Sequence, residues 1–143
     1  QSAARTPEPL PADLDALGDE RYLSCTTFRS TGVGVATPVW IARDGGALVF
    51  MTDGGSGKVK RLRRDARVDL QPCDARGGVD PEAPVVRAHA EVVTGGPTLA
   101  SGAAAITAKY GVQARMIGLA ERVTRRAATR VVIRIIAART GEE

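Results

Sequence analysis

The chain has 143 residues, a net charge of +4 and 43% apolar residues, a size and balance that suit one domain with its own core. No apolar run approaches the roughly 20 residues that cross a bilayer. One histidine and two cysteines without CxxC spacing exclude a histidine-rich metal site, and five aromatic residues are few for the stacking platforms of single-strand nucleic-acid binders. Cytoplasmic placement is expected, with free buried thiols at Cys25 and Cys73 and a disulfide as the lesser alternative.

Residues 1–11, QSAARTPEPLP, are Pro-rich and polar and read as a disordered tail, leaving 12–143 as the folded domain. A short helix over 13–18 ends at Gly18. RYLSCTTF (21–28) has strand composition. After an RSTG turn, VGVATPVWIA alternates, with Val33, Val35, Thr37, Val39 and Ile41 on one face. Pro38 withdraws a ladder donor there, which predicts a sheet edge or a strand facing a ligand. RDGG marks a hairpin into the uncharged strand ALVFMT (47–52).

A helix follows in the basic stretch, with Val59, Leu62 and Ala66 at core spacing and Lys58, Arg61 and Arg64 on a separate stripe. ARVDLQPC is the next strand, DARGGVDPEA a loop and PVVRAHAEVV another strand. Gly95-Gly96-Pro97 opens a helical region from Thr98 to about Arg125, interrupted at Gly111, and TRVVIRIIAAR closes the chain as a β-branched strand. Six strands joined mostly by hairpins predict a mainly β (α+β) fold, a small closed or half-closed antiparallel barrel. A parallel doubly wound sheet would need regular strand–helix alternation, which the first three strands lack.

The segment SGKVKRLRRDAR (56–67) sets Lys58, Lys60, Arg61, Arg63, Arg64 and Arg67 against Asp65 alone, more positive charge than the whole chain carries net. A cationic feature this localised points to a specific anionic ligand more than to a general affinity for polyanions. The glycine turn before it opens onto a helix start with free N–H groups, Ser56 placed to cap and Lys58 in the first turn. A cation there opposes the helix dipole by about 0.3–1 kcal/mol, a cost that makes sense when a phosphate lies between. The plain alternative is a solvated helix with a charged outer face. GGSGKV is no nucleotide P-loop, because Thr52 and Val59 stand where glycine and Ser/Thr are needed. Gly32-Val33-Gly34 begins a dinucleotide fingerprint but has Thr37 in place of the third glycine and a hairpin around it. Trp40 reads either as a core or interface aromatic or, beside the edge freed at Pro38, as a wall for a planar heterocycle.

Taken in order, TPVW, a hairpin, FMT-x-x-x-S-x-K-x-x-x-L-x-x-D-x-R-V and L-x-P-C-D-x-R-G resemble the split-barrel flavin-binding superfamily of pyridoxamine 5′-phosphate oxidase, over about Arg21 to Arg139. Within it the likeness is greatest to enzymes that use the 5-deazaflavin coenzyme F420. The resemblance implies a six-stranded Greek-key split barrel and a homodimer with cofactor at the interface. It implies that Thr37, Pro38, Val39 and Trp40 line the ring system and that Thr52, Ser56, Gly57, Lys58 and Arg61 hold the phosphate. Cys73 and Asp74 would approach the ring or tail.

The FMN pattern of that family has a further arginine before the hairpin and an Arg-Lys pair after the serine. This chain has neither, and its surplus Lys60, Arg61 and Arg64 suit the longer anionic polyglutamate tail of F420. The expected function is an F420-dependent oxidoreductase passing a hydride to an electron-poor small molecule, with no nucleic-acid, membrane or metal partner. An FMN protein of the same fold and a non-catalytic anion-binding module remain as alternatives. No catalytic side chain is assigned. His89 is of a residue type used as a proton donor but sits in an alternating strand where a structural histidine is ordinary, and Tyr110 and Arg115 are substrate-pocket candidates without motif support.

Overall fold

A computed structural model describes residues 10–111 and 130–138. Residues 1–9 of the expected tail, Arg115 and the far part of the expected helical region lie outside the described residues. Leu10, assigned to the tail by composition, packs against the core.

The sequence folds into helix α1 (Ala12–Ala16) with a 3-10 turn (Leu17–Asp19), then strands β1 (Leu23–Phe28), β2 (Gly34–Val39), β3 (Ala42–Asp44) and β4 (Ala47–Asp53). Helix α2 (Gly57–Arg64), β5 (Arg67–Pro72), β6 (Val86–Val93), α3 (Gly96–Tyr110) and β7 (Arg130–Ala137) follow. All strand pairs are antiparallel, in the order β2-β1-β5-β6-β7-β4-β3. The fold is a mainly antiparallel β half-barrel, with three α-helices among the described residues.

Among the described residues there are seven strands where the alternation predicts six. The run VGVATPVWIA splits at Trp40 and Ile41, so β2 and β3 are separate. These two strands are the opposite edges of the sheet, yet only two residues join them. The sheet must therefore curl until its edges meet at that corner. Long-range bonds hold the corner: Lys109 Nζ donates to the Ile41 carbonyl at 2.7 Å, and the Tyr110 hydroxyl lies 2.7 Å from the same oxygen. The hairpin between β3 and β4 turns on Gly45 at φ 62° and Gly46, where a positive φ favours glycine.

Two apolar layers sandwich the sheet. The inner one gathers Leu23, Cys25, Val39, Ile41, Leu48, Phe50, Val68, Leu70, Ile133 and Ile135 beneath Leu14 of α1 and Val59 and Leu62 of α2. The outer one sets Ala42, Val49 and Val132 against Ile106 and Tyr110 of α3. Strand β4 is buried on both faces from Ala47 to Phe50, which explains why ALVFMT carries no charge. Strand β2 alternates and lies at an edge, where Pro38 leaves no central ladder bond unmade. Among the described residues no helix is long and apolar enough to cross a membrane.

Candidate anion and cofactor site

Helix α2 starts where the chain leaves β4, and local chemistry fixes the start. Asp53 accepts from Gly55 N at 2.9 Å through Oδ1, and its carbonyl accepts from Ser56 N at 3.0 Å. Ser56 is the N-cap, its Oγ accepting from Val59 N at 3.3 Å while its carbonyl accepts from Lys60 N. A helix start leaves its first N–H groups without intrahelical acceptors. With those of Val59 and Lys60 taken by Ser56, those of Gly57 and Lys58 remain for a ligand.

Two cations crowd this start. Lys58 is half-buried, and its ammonium lies 5.2 Å from the centroid of the Phe50 ring. Desolvation pushes its pKa below the ordinary lysine value, with Cys25 opposing the shift and the Arg61 charge adding to it. Arg61, also half-buried, donates from Nε to Thr27 Oγ1 at 2.6 Å. Its Nη1 lies 2.9 Å from where a Cβ on Gly57 would sit, so the guanidinium folds back over the helix start. No described carboxylate pairs with either cation.

Beneath them lies Cys25, fully buried, its thiol pushed up to about 12 by burial and so neutral near pH 7. Thr37 stands opposite Cys25 in the β1–β2 register, on the same face. Its Oγ1 is buried with no hydrogen-bond partner among the described residues. Thr52 follows Phe50 by two on β4 and so shares its inner face. Thr37 and Thr52 thus share the inner face with Phe50, which Lys58 lies over, and with Thr27, which holds Arg61. Thr27 is not singled out by the sequence, and Cys25 only as the free buried thiol that it is, although alternation with the buried Leu23 places both inward.

The remaining candidates sit elsewhere. Val39 is buried in the inner core. Trp40 stacks on Tyr110 with ring centroids 4.7 Å apart and planes 13° from parallel, in the outer layer. Pro38 is exposed, and the loop after β5 approaches it: a Cβ on Gly77 would lie 3.5 Å from Pro38 Cδ. Asp74 organises that loop, accepting from Arg76 N and Gly78 N. Cys73 is free and half-buried, its N–H donating to the Tyr22 carbonyl. The sheet therefore divides the candidates, with Thr37 on one side of edge strand β2 and Pro38 on the other.

Two expectations change. Ala66 does not face the core from a helix: α2 ends at Arg64, and the Ala66 carbonyl accepts from Ala90 N, joining the sheet. Asp65 ends the helix by turning its carboxylate to Arg67. Tyr110 is no pocket residue, being buried with its hydroxyl on the Arg21 and Ile41 carbonyls. His89 pairs across the ladder with Arg67 and lines a groove of about 350 Å³ with Arg64, Asp65, Ala66 and Arg67, beyond the C-terminal end of α2.

The family model for pyridoxamine 5′-phosphate oxidase matches residues 11–142. Among solved structures the chain is similar to conserved hypothetical protein Rv2991 from Mycobacterium tuberculosis, with a TM-score of 0.65 and 21% identity over 95% of this chain and 87% of that one. It is similar to HutZ, the heme storage protein from Vibrio cholerae, with a TM-score of 0.63 and 9% identity over 92% of each chain. It also resembles an F420 reductase, with a TM-score of 0.56 and 21% identity over 91% of this chain and 97% of that one. At these identities the likeness is one of fold. No curated protein sequence matches the chain.

Proposed function

This chain belongs to the pyridoxamine 5′-phosphate oxidase family, and on that premise we propose that it is an F420-dependent oxidoreductase acting on an electron-poor small molecule. The observation that carries the reading is the half-buried Lys58–Arg61 pair, held without a described carboxylate at a serine-capped helix start. Two cations that repel each other in a desolvated corner are stabilised by an anion placed between them. The donor set fits a phosphate: an ammonium, a guanidinium fork and the N–H groups of Gly57 and Lys58. Thr37 Oγ1, buried without a partner, adds one more polar group at the same face.

The choice of F420 rests on what lies beyond that phosphate. Arg64 is exposed on the same helix, and uses Nη2 on the Phe28 carbonyl while keeping further donors. It continues the stripe of Lys58 and Arg61 at helical spacing, where a glutamate tail would engage it and a lone phosphate would not reach.

When bound, the deazaflavin supplies the hydride. The protein's part would be to hold and orient: Lys58 and Arg61 would fix the phosphate and Thr37, on the inner face, would border the ring, while Pro38 and the loop ordered by Asp74 lie on the other face of edge strand β2. No side chain is assigned to move a proton. Enclosure is completed in this reading by a second copy of the chain, for which the unpaired edge of β2 and the exposed Val33, Val79 and Val85 are available. Mixing the protein with reduced F420 and a panel of quinones and conjugated carbonyl compounds tests the activity. Acceptor-dependent oxidation above the protein-free rate is expected, and no stimulation by any acceptor would overturn it.

A further inference from the structure

The chain has only three lysines, and their surroundings differ. Lys60 is exposed on α2. Lys109 donates to the carbonyls of Gly18, Glu20 and Ile41, so losing a proton would break one of these bonds. Lys58, half-buried, lies over the face of the Phe50 ring, a weaker partner for an ammonium than a carbonyl or water, and has no described hydrogen-bond acceptor on its nitrogen. That is the environment of lysines that form Schiff bases, where desolvation and a neighbouring cation favour the neutral amine.

We propose that in the cofactor-free protein Lys58 is a carbonyl-reactive amine that captures small aldehydes bearing a phosphate or carboxylate. Arg61 and the N–H groups of Gly57 and Lys58 would hold the anionic group while Nζ adds to the carbonyl carbon. The C–N bond forms and the carbonyl C–O bond breaks. The oxygen departs as water with the two amine protons, leaving an imine and no change in oxidation state. The Cys25 thiol, kept neutral by burial, neither supplies a compensating negative charge nor competes as a thiolate. The shift of the Lys58 ammonium below its ordinary pKa acts in the same direction as this geometry. A cofactor phosphate bonded to Lys58 Nζ itself would occupy the amine and exclude the aldehyde, so bound cofactor would silence it. The inference rests on the same anion cradle as the cofactor reading, but it needs no cofactor.

The test incubates the purified wild-type protein with glyoxylate, glyceraldehyde 3-phosphate or uncharged acetaldehyde, traps imines with cyanoborohydride, and maps the three lysines and the α-amine by peptide mass spectrometry. Lys58 is expected to be labelled about tenfold or more faster than Lys60 and Lys109, and faster by either anionic aldehyde than by acetaldehyde. The two anionic probes distinguish carboxylate from phosphate as the recognised group. Lys58→Arg, which keeps the charge, should lose that label without changing labelling at Lys60. Equal or faster labelling of Lys60 would overturn the reactive amine and leave the cofactor reading standing. Acetaldehyde matching both anionic probes at Lys58 would overturn the proposed ligand class and count against the anion cradle itself.

Discussion

Arg61 donates from Nε to Thr27 Oγ1 at 2.6 Å, a bond between α2 and β1 that fixes the guanidinium over the helix start. Its Nη1 and Nη2 then lie 2.9 and 4.0 Å from where a Cβ on Gly57 would sit. Arg61 is thus oriented by a neutral hydroxyl, which leaves its charge available to a ligand in a way that a carboxylate partner would not.

Lys58→Ala should weaken cofactor binding by about tenfold or more, since a hydrogen bond to a charged group is worth about 1.5–3 kcal/mol. Lys60→Ala, changing an exposed residue of the same helix, should have a much smaller effect. Isothermal titration of both variants checks the contrast. Equal losses would indicate a diffuse electrostatic surface and remove the assigned site.

Gly57→Ala should separate binding from stability. The new Cβ would stand 2.9 Å from Arg61 Nη1 and push the fork aside, while alanine suits a helix better than glycine by up to about 1 kcal/mol. Weaker phosphate binding with an unchanged or slightly raised Tm is expected, measured by titration and thermal unfolding.

Part of this was legible in the sequence. Ser56 was recognisable as a cap because a serine before a first helical turn has few other uses, and Pro38 announced the edge because it cannot serve a central ladder. The uncharged run of β4 carried its own burial. The corner at Trp40–Ile41 was not legible: the alternation continues through it, and the groups that hold it, Lys109 and Tyr110, arrive some 70 residues later. The same distance hid the stacking of Trp40 on Tyr110. Thr27 escaped notice because its importance lies in a partner 34 residues away, on another element.

Lys109→Met should destabilise the fold by about 2–4 kcal/mol, because the carbonyls of Gly18, Glu20 and Ile41 lose a charged donor. Urea unfolding measures it. A loss below about 0.5 kcal/mol, the scale of an ordinary surface change, would mean that the corner is held by packing alone.

Alkaline stability should depend on Tyr110. Burial raises its phenol to about 12 in the folded protein, against about 10 in an unfolded chain. Between these values the folded state binds more protons, so stability is intact below pH 10 and falls as pH rises towards 12. Tyr110→Phe should flatten that part of the stability–pH curve, as followed by chemical denaturation. An unchanged slope would place the alkaline loss on other groups.

The most direct measurement titrates F420 with increasing numbers of glutamates, and FMN in parallel, into the same purified protein, followed by cofactor fluorescence. F420 is expected to bind more tightly than FMN, with affinity rising with each added glutamate and that rise lost in Arg64→Ala. Tighter binding of FMN, or F420 affinity independent of tail length, would contradict it.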